Sequence, residues 1–328
     1  MSDIQLTNKE NLSLPFLVWL CMDEYDHNHD PNNISATSLI KPLRQFILNE
    51  KLPNTEVDVS NLVASRMGTA IHNSAEMSWM NKDNLFKALR LAGYPIRVIE
   101  LVKVNPTEEE LQRNPDIIPV YLEQRVTKQI NEFTVSGKFD MVLDGNIYDY
   151  KSTSVYTYIN DSNAQKYIEQ ASIYRYLNPK IITGDTITIL FIFTDWSQAA
   201  SYNNKDYPKS RLMEKSYPLM SIQETEVFIK QKLSAIKSYR LKDIQELPLC
   251  DEKDLWVDPT VWKYYKDPTK LTRSTKNFDN SNDAYVFASN KGEGIVIEVK
   301  GKARACNYCN ARPICTQYEQ LLEEGRVQ

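Results

Sequence analysis

One short segment combines two carboxylates and a lysine at a spacing that suits metal-assisted hydrolysis. Residues 136–153 read SGKFDMVLDGNIYDYKST, and the central Asp-Gly dipeptide favours a type I′ hairpin turn between two strands. With this turn, Asp140 lies opposite Asp149, and Lys151 shares the strand face of Asp149. Opposed residues have Cβ atoms roughly 5 Å apart, where two negative charges repel each other. A divalent cation between the carboxylates would relieve that repulsion, which is the arrangement of a metal-dependent hydrolase.

The same pattern has a simpler explanation. An Asp-x-Lys sequence on a strand is commonly a solvated face or a surface ion pair that contributes little to stability. Lys138, which faces Lys151 in this register, is expected to be a solvated charge rather than a phosphate contact. The choice between the two explanations therefore depends on the rest of the chain.

The composition is that of an ordinary globular protein. The 328 residues are 42% hydrophobic and 25% charged, enough for one elaborated domain or two. A net charge of −4 gives no general attraction to nucleic acid, so any polyanion must bind a local patch. No apolar run reaches the length of a membrane span, and the polar amino terminus has no secretory signal. Because the five cysteines do not form a pattern typical of disulfides, we expect a cytoplasmic protein without membrane contact.

Hydrophobic periodicity predicts an α/β fold with a mixed central β-sheet flanked by helices. Strand signals occur near residue 125, in the hairpin, and over 186–196, which is apolar on both faces as in a covered central strand. The predicted helices cover residues 12–25, 61–79 and 163–177, and one begins at Ser221, where Ser-Ile-Gln-Glu is a capping box. Ile222, Ile229, Leu233 and Ile236 would form one apolar stripe of that last helix.

These patterns predict three regions. Residues 1–60 form a helical amino-terminal region, residues 61–245 form the α/β core, and residues 246–328 form a small extension that contains clustered cysteines.

Four motifs follow one another in a distinctive order. GTAIH places Gly68 and His72 four residues apart on a helix, a lone aspartate and DYK lie on the hairpin, and QASIY places Gln170 and Tyr174 four apart on the next helix. This order, GxxxH, Asp, [D/E]xK and QxxxY, resembles the RecB-like exonuclease branch of the PD-(D/E)XK nuclease superfamily. The segments SATSL, EQR, GKFD and DYKST resemble phage-encoded members, which are related to CRISPR-associated and AddB-type nucleases. The resemblance covers about residues 35–178 and implies the restriction-endonuclease-like core of that branch.

The resemblance implies roles for the residues on the hairpin and the preceding helix. His72, Asp140 and Asp149 would bind Mg²⁺ or Mn²⁺, cations that prefer oxygen ligands and tolerate a single imidazole. The backbone carbonyl of Tyr150 would be a further ligand. Lys151 would position or help deprotonate the attacking water and stabilise charge on the phosphate.

Three further site residues are implied by the same resemblance. Glu123 would approach a second metal ion or orient the first, although it could equally pair with Arg125 or Lys128. Gln170 and Tyr174 project from one helix face and would brace the site or contact the DNA backbone. Ordinary helix packing is the alternative for both.

The carboxy-terminal region contains three cysteines spaced CxxCx5C: Cys306, Cys309 and Cys315. Related nucleases hold an iron–sulfur cluster with three such cysteines and one further upstream. In this chain Lys41 stands where the upstream cysteine is expected, so Cys21 is the predicted fourth ligand and Cys250 an alternative. A [4Fe–4S] cluster, a Zn²⁺ site and buried thiols without metal all stay open.

The resemblance implies a Mg²⁺- or Mn²⁺-dependent deoxyribonuclease. It would hydrolyse phosphodiester bonds in line, leaving a 3′-hydroxyl and a 5′-phosphate, as an exonuclease on single- or double-stranded DNA with a free end. The implied setting is phage or mobile-element DNA processing, recombination or repair, with a helicase or annealing protein as partner. The alternatives are a structure- or sequence-specific endonuclease of the same fold, a nuclease acting on RNA, and a non-catalytic DNA-binding or recombination partner. The retained Asp140, Asp149 and Lys151 argue against the last.

Overall fold

The structure is a computed structural model that describes residues 5–22, 30–52 and 56–327. Two compact units make up the chain, the first from Met1–Ile40 and Asn54–Leu233, the second from Lys41–Pro53 and Ser234–Gln328. No helix among the described residues combines the length and the apolar character needed to cross a membrane.

The described strands and helices follow in chain order. The strands are β1 (Gln5–Thr7), β2 (Asn33–Ser35), β3 (Glu56–Asp58), β4 (Val102–Val104), β5 (Ile118–Leu122), β6 (Arg125–Ile130), β7 (Phe133–Lys138), β8 (Met141–Leu143), β9 (Asn146–Thr153), β10 (Thr186–Phe193), β11 (Leu212–Pro218), β12 (Val261–Tyr265), β13 (Lys276–Phe278) and β14 (Ile295–Val299). The helices are α1 (Leu14–Cys21), α2 (Ala36–Leu39), α3 (Leu43–Lys51), α4 (Val63–Met80), α5 (Lys82–Leu91), α6 (Ile96–Leu101), α7 (Glu108–Arg113), α8 (Val155–Ile159), α9 (Ala164–Leu177), α10 (Gln198–Asn203), α11 (Ile222–Tyr239), α12 (Ser281–Lys291) and α13 (Thr316–Glu323).

A six-stranded mixed sheet forms the centre of the first unit, which is the α/β architecture that the sequence predicts. Its strand order is β11-β10-β9-β8-β5-β4, with parallel pairs β9/β10 and β4/β5 and the other pairs antiparallel. Residues of β10 alternate between buried and half-buried positions along its whole length. This burial agrees with the prediction of a covered central strand.

The hairpin β8–β9 has the predicted turn and register. Asp144 and Gly145 have φ values of 47° and 80°, the left-handed conformations that a type I′ turn requires. Met141 pairs with Tyr148, Val142 with Ile147 and Leu143 with Asn146, and Asp140 directly precedes the paired residues. The turn residues therefore determine which side chains face each other across the two strands.

The central sheet bends into a second sheet at one point. The second sheet has the order β2-β7-β6, and β7 continues into β8 while β5 continues into β6. At this bend the N–H of Glu123 donates to the carbonyl of Asp140 at 3.0 Å. Glu123 has a φ of 52°, a left-handed backbone that is uncommon for a residue with a side chain. The bend thus sets two carboxylate-bearing residues side by side on neighbouring strands.

The helix predicted to begin at Ser221 is present as α11, but its buried apolar stripe starts later than predicted. Ser221 Oγ accepts from the N–H of Glu224 at 3.1 Å, and Glu224 Oε2 accepts from the N–H of Ser221 at 2.8 Å, so the capping box is formed. Ile229, Leu233 and Ile236 are buried, whereas Ile222 in the first turn is 37% exposed. The apolar stripe therefore begins about two turns later than predicted.

The amino-terminal region is less purely helical than predicted. It contains three short strands, β1, β2 and β3, in addition to its helices, and β1 pairs with β3 in parallel. Ser35 caps α2 by accepting from the N–H of Ser38 at 3.1 Å. Pro42 then ends this helical stretch and starts α3, because proline disfavours the helical conformation in the residue before it.

The second unit is built on a three-stranded antiparallel sheet in the order β13-β12-β14, against which α12 packs. A separate apolar cluster lies near the chain end and consists of Leu255, Ala303, Cys306, Leu321 and Val327. Cys250 packs against this cluster.

Candidate metal site in the first unit

Three potential metal ligands converge at the bend of the central sheet. His72 from α4, Glu123 from the end of β5 and Asp140 from the start of β8 offer ligand atoms that all lie within 4.8 Å of one another. His72 Nδ1 lies 3.1 Å from Asp140 Oδ2. Two carboxylates and one imidazole form a donor set that suits Mg²⁺ or Mn²⁺.

The backbone of β9 holds Asp140 in this position. The N–H of Tyr150 donates to Asp140 Oδ2 at 3.3 Å, while the Tyr150 side chain packs with Trp79 against an apolar cluster of the central sheet. The His72 ring lies edge-on to the Tyr150 ring, with centroids 6.4 Å apart. The packing of α4 on this sheet face therefore brings the imidazole to the carboxylate.

Asp149 and Lys151 form a buried ion pair next to these residues. Lys151 Nζ lies 2.6 Å from Asp149 Oδ2, and Asp149 is 5% exposed. Despite this contact, Asp149 Oδ2 accepts no well-directed hydrogen bond from the described residues. The pair therefore places a further carboxylate and an ammonium group beside the converging ligands.

The arrangement differs in one respect from the predicted ligand set. The prediction places Asp149 beside His72 and Asp140 and gives Glu123 a secondary role, whereas the described residues that converge within 4.8 Å include Glu123 and omit Asp149. The two carboxylates nearest to the imidazole are thus those at the sheet bend, which sequence spacing does not reveal.

Burial and charge shift the pKa values of these groups in different directions. Burial raises the pKa of Asp149 to about 6, although Lys151 opposes this shift. Burial acts in the same sense on Asp140, but the hydrogen bond and charge of His72, together with Lys151, bring the pKa of Asp140 below its ordinary value. The hydrogen bond to Asp140 raises the pKa of His72. The site therefore binds a proton readily at Asp149 and His72, and a cation would displace it.

Glu123 pairs with a residue that the sequence did not suggest. Its partner is Lys138 on β7. The expectation that Lys138 is a solvated charge is therefore wrong. Burial raises the pKa of Glu123, and Lys138 opposes that shift.

Gln170 and Tyr174 line a cleft that also contains the converging ligands. Gln170 Nε2 donates to Tyr174 Oη at 2.6 Å, and the cleft has a volume of about 330 Å³. The Tyr174 ring lies so close to Gly137 that a Cβ at that position would stand 2.7 Å from Tyr174 Cδ1. Gly137 therefore allows the tyrosine to rest directly on the strand.

Several polar residues of the cleft were not predicted as site residues. Ser35, Thr37, Asn73 and Arg125 all line it. The SATSL segment contains the first two, but in the sequence alone it supports only the family resemblance. Arg125 was considered only as a partner of Glu123.

The predicted cysteine ligands fall in two different units. Cys21 is exposed on α1 of the first unit. Cys306, Cys309 and Cys315 line a cavity of the second unit, and Cys250 lines the same cavity.

Comparisons with known proteins give only weak likenesses. The sequence matches the model of no known protein family, and it matches no curated protein. Among solved structures, it is similar to an alkaline exonuclease (LHK-Exo) from Laribacter hongkongensis, with 9% identity, coverage of 63% of this chain and 89% of that chain, and a TM-score of 0.34. A phage-related exonuclease from Haemophilus somnus 129PT shares 12% identity over 63% of this chain and 93% of that chain, with a TM-score of 0.34. SSO0001 shares 13% identity over 66% of this chain and 82% of that chain, with a TM-score of 0.36. At these TM-scores the likenesses support no argument about function, which must come from the site itself.

Proposed function

We propose that this protein is a metal-dependent nuclease that hydrolyses phosphodiester bonds of DNA. The observation that supports this most directly is the convergence of His72, Glu123 and Asp140 within 4.8 Å at the bend of the sheet. The adjacent buried pair of Asp149 and Lys151 supplies a further carboxylate and the positive charge of the lysine ammonium group.

The donor set fits a hard divalent cation. Glu123, Asp140 and Asp149 offer carboxylate oxygens, and His72 offers one nitrogen, so Mg²⁺ or Mn²⁺ is favoured over metals that select thiolates. When bound, such an ion lowers the pKa of water and stabilises the charge that develops on a phosphate.

The residues of the chain itself supply the remaining functions. Lys151 remains protonated because Asp149 and Asp140 outweigh the effect of burial and raise its pKa. A protonated lysine beside the carboxylates attracts the scissile phosphate and stabilises its negative charge, while Asp149 orients the ammonium group. Gln170 and Tyr174 line the cleft wall and keep their mutual hydrogen bond, so they define where the substrate backbone lies.

A nucleic acid substrate is consistent with the local charge of the cleft. The chain as a whole has a net charge of −4, and the cleft is lined by Arg125 and Lys138 as well as by the carboxylates Glu123 and Asp140, whose charge a bound cation would offset. Basic groups in a cleft of an acidic protein direct a polyanion to that place. We propose exonuclease action on DNA with a free end; the phage setting and a helicase or annealing partner stay predictions.

Digestion of end-labelled linear DNA and of covalently closed circular DNA tests the proposal. With Mg²⁺ or Mn²⁺, the wild type should degrade linear DNA, and chelation with EDTA should stop the reaction. Asp140→Asn should abolish cleavage, and Lys151→Met should reduce it roughly 10²–10³-fold by loss of charge stabilisation. Asp116→Asn, the same change at an exposed aspartate, is the matched control and should cleave like the wild type.

Each other outcome has a defined meaning. Cleavage of closed circles would favour an endonuclease, and preferential digestion of RNA would change the substrate class. If the wild type and the Lys151→Met variant bind DNA equally and neither cleaves it with either metal, the protein is a binding module and the hydrolase proposal is wrong.

A further inference from the structure

Two large aromatic side chains of the second unit lie next to each other on its surface. Trp256 is 41% exposed and Tyr308 is 77% exposed, and their ring centroids are 6.4 Å apart. The two rings are tilted by 44°, so neither covers the face of the other. Single exposed apolar residues are common in folded proteins, but a contiguous pair of large rings indicates a surface that contacts a partner.

The backbone of Trp256 is also unfavourable for a tryptophan. Its φ of 49° is a left-handed conformation, which glycine or asparagine adopts at lower cost than a bulky residue. Exposure of the ring and strain of the backbone both act against stability at this position. A role in binding therefore accounts for a tryptophan there better than packing does.

A short antiparallel pairing fixes the chain on both sides of this ring. Val257 forms a bridge with Ala303, and the N–H of Asp258 donates to the carbonyl of Lys302 at 3.0 Å. Ala303 belongs to the apolar cluster near the chain end, and Val257 packs against that cluster. Because side chains of paired segments alternate between two faces, Trp256 and Lys302 lie on the outer face.

The segment that contains Tyr308 carries only positive charges. Residues 299–318 include four basic side chains and no carboxylate, although the whole chain has a net charge of −4. Arg304 is neutralised by Asp258, with Nε 2.7 Å from Oδ2. Arg312 Nη1 donates to the carbonyl of Asn307 at 3.3 Å, directly before Tyr308. This acceptor is neutral, so the bond leaves the charge of Arg312 uncompensated.

The segment before Trp256 has the opposite charge. Residues 251–254 are Asp-Glu-Lys-Asp, and Asp251 Oδ1 accepts from the N–H of Asp254 at 2.7 Å. These carboxylates repel phosphates. A polyanion would therefore follow the basic segment of Tyr308 and reach Trp256 from that side.

We propose that the surface formed by Trp256, Tyr308, Lys302 and Arg312 binds single-stranded DNA, in addition to the cleft of the first unit. The inference rests on the proposed function, from which it takes DNA as the nucleic acid. Unpaired bases stack on aromatic rings, and lysine and arginine pair with phosphates. In a duplex the faces of the bases are covered by their neighbours, so the ring pair favours a single strand. This contact increases the affinity for DNA and takes no part in cleavage.

Affinity for a fluorescein-labelled oligothymidine, measured by fluorescence anisotropy in EDTA, tests this proposal without cleavage. Trp256→Ala and Tyr308→Ala should each weaken binding by the full-length protein about 5–100-fold, through loss of one stacked base. Trp256→Phe should retain most of the affinity, because it keeps a ring face. Tyr285→Ala, at a tyrosine of α12 that is 57% exposed, is the matched control and should bind like the wild type. Circular dichroism confirms that each variant is folded.

The salt dependence of binding tests the basic side chains separately from the rings. A double variant, Lys302→Met with Arg312→Met, should bind less tightly at low salt. The slope of log affinity against log salt concentration should decrease by about 0.7 for each phosphate contact removed. An unchanged slope would contradict the assignment of these two residues as phosphate ligands.

Three results would overturn the proposal. The first is a wild type that binds no oligothymidine, and the second is equal affinity of the Trp256→Ala, Tyr308→Ala and Tyr285→Ala variants. The third is an equal loss of affinity for a blunt duplex of the same length, whose paired bases cannot stack on the rings. A protein that binds through these residues and cleaves no DNA would refute the nuclease proposal alone. Cleavage with binding unaffected by the ring variants would refute only the present one.

Discussion

Lys151→Met tests whether the buried ion pair next to the candidate metal site has the properties read from the structure. The substitution keeps most of the side-chain volume and removes the ammonium group that lies 2.6 Å from Asp149 Oδ2. Asp149 is 5% exposed, so its carboxylate would be left buried and unpaired. Removing one partner of a buried pair typically costs about 3–5 kcal/mol of folding free energy. We expect this loss at pH 8 in the presence of EDTA.

The loss should depend on pH with a definite sign. Burial already raises the pKa of Asp149 to about 6, and Lys151 is the largest influence that opposes the shift. Without Lys151 this pKa rises further, so the folded variant keeps a proton that the unfolded chain, with a pKa of about 3.9, has lost. Stability of the variant relative to the wild type therefore falls as the pH rises above 6. Each unit by which this pKa rises costs the variant up to about 1.4 kcal/mol of stability relative to the wild type once the pH exceeds both pKa values.

Thermal unfolding of both proteins at pH 6 and pH 8 measures this difference. For a unit of this size, a loss of about 1.4 kcal/mol corresponds to a melting temperature about 3–6 °C lower. Lys9→Met is the matched control, because Lys9 and Glu56 form a pair of similar length, 2.9 Å, with the lysine side chain 70% exposed. The control should change melting temperature little and equally at both pH values.

Parallel shifts of the Lys151→Met and Lys9→Met variants at both pH values would refute the reasoning. Such a result would mean that Asp149 is solvated in solution or that its charge is compensated by another group. The assignment of Asp149 and Lys151 to the reacting centre would then lose its electrostatic basis.

Two further predictions concern the cleft. Gly137→Ala should destabilise the first unit by about 1–3 kcal/mol, because the new methyl group would stand 2.7 Å from the Tyr174 ring. Gly68→Ala is the control, since its methyl group would lie 3.7 Å from Ser152 Oγ. Equal melting temperatures of the two variants would contradict the close packing of Gly137 against Tyr174. Mn²⁺ affinity measured by calorimetry should fall as the pH is lowered from 7 to 5, because protons compete for His72 and Asp149, whose pKa values are both raised. Constant affinity over this range would argue against both residues as ligands.

The amino-acid sequence by itself determined the local structure on which the site is built. The Asp144-Gly145 turn predicts the register of β8 and β9, because few residues adopt two successive left-handed conformations. The Ser-Ile-Gln-Glu capping box predicted the start of α11 to within a residue, and the helix predicted over residues 163–177 agrees with α9. These signals are local, since turn chemistry and alternation of side chains depend on neighbours in the chain.

The tertiary structure alone decided which distant side chains meet. Glu123 reaches His72 and Asp140 because two paired strands bend together, and nothing in the spacing of these residues encodes that bend. Cys250 likewise lines the same cavity as Cys306, Cys309 and Cys315. There the side chain of Gln317 hydrogen-bonds to both the N–H and the carbonyl of Cys250. Glu123 lies 51 positions after His72, and Cys306 lies 56 positions after Cys250, and such distant contacts are set by the packing of whole elements rather than by local pattern.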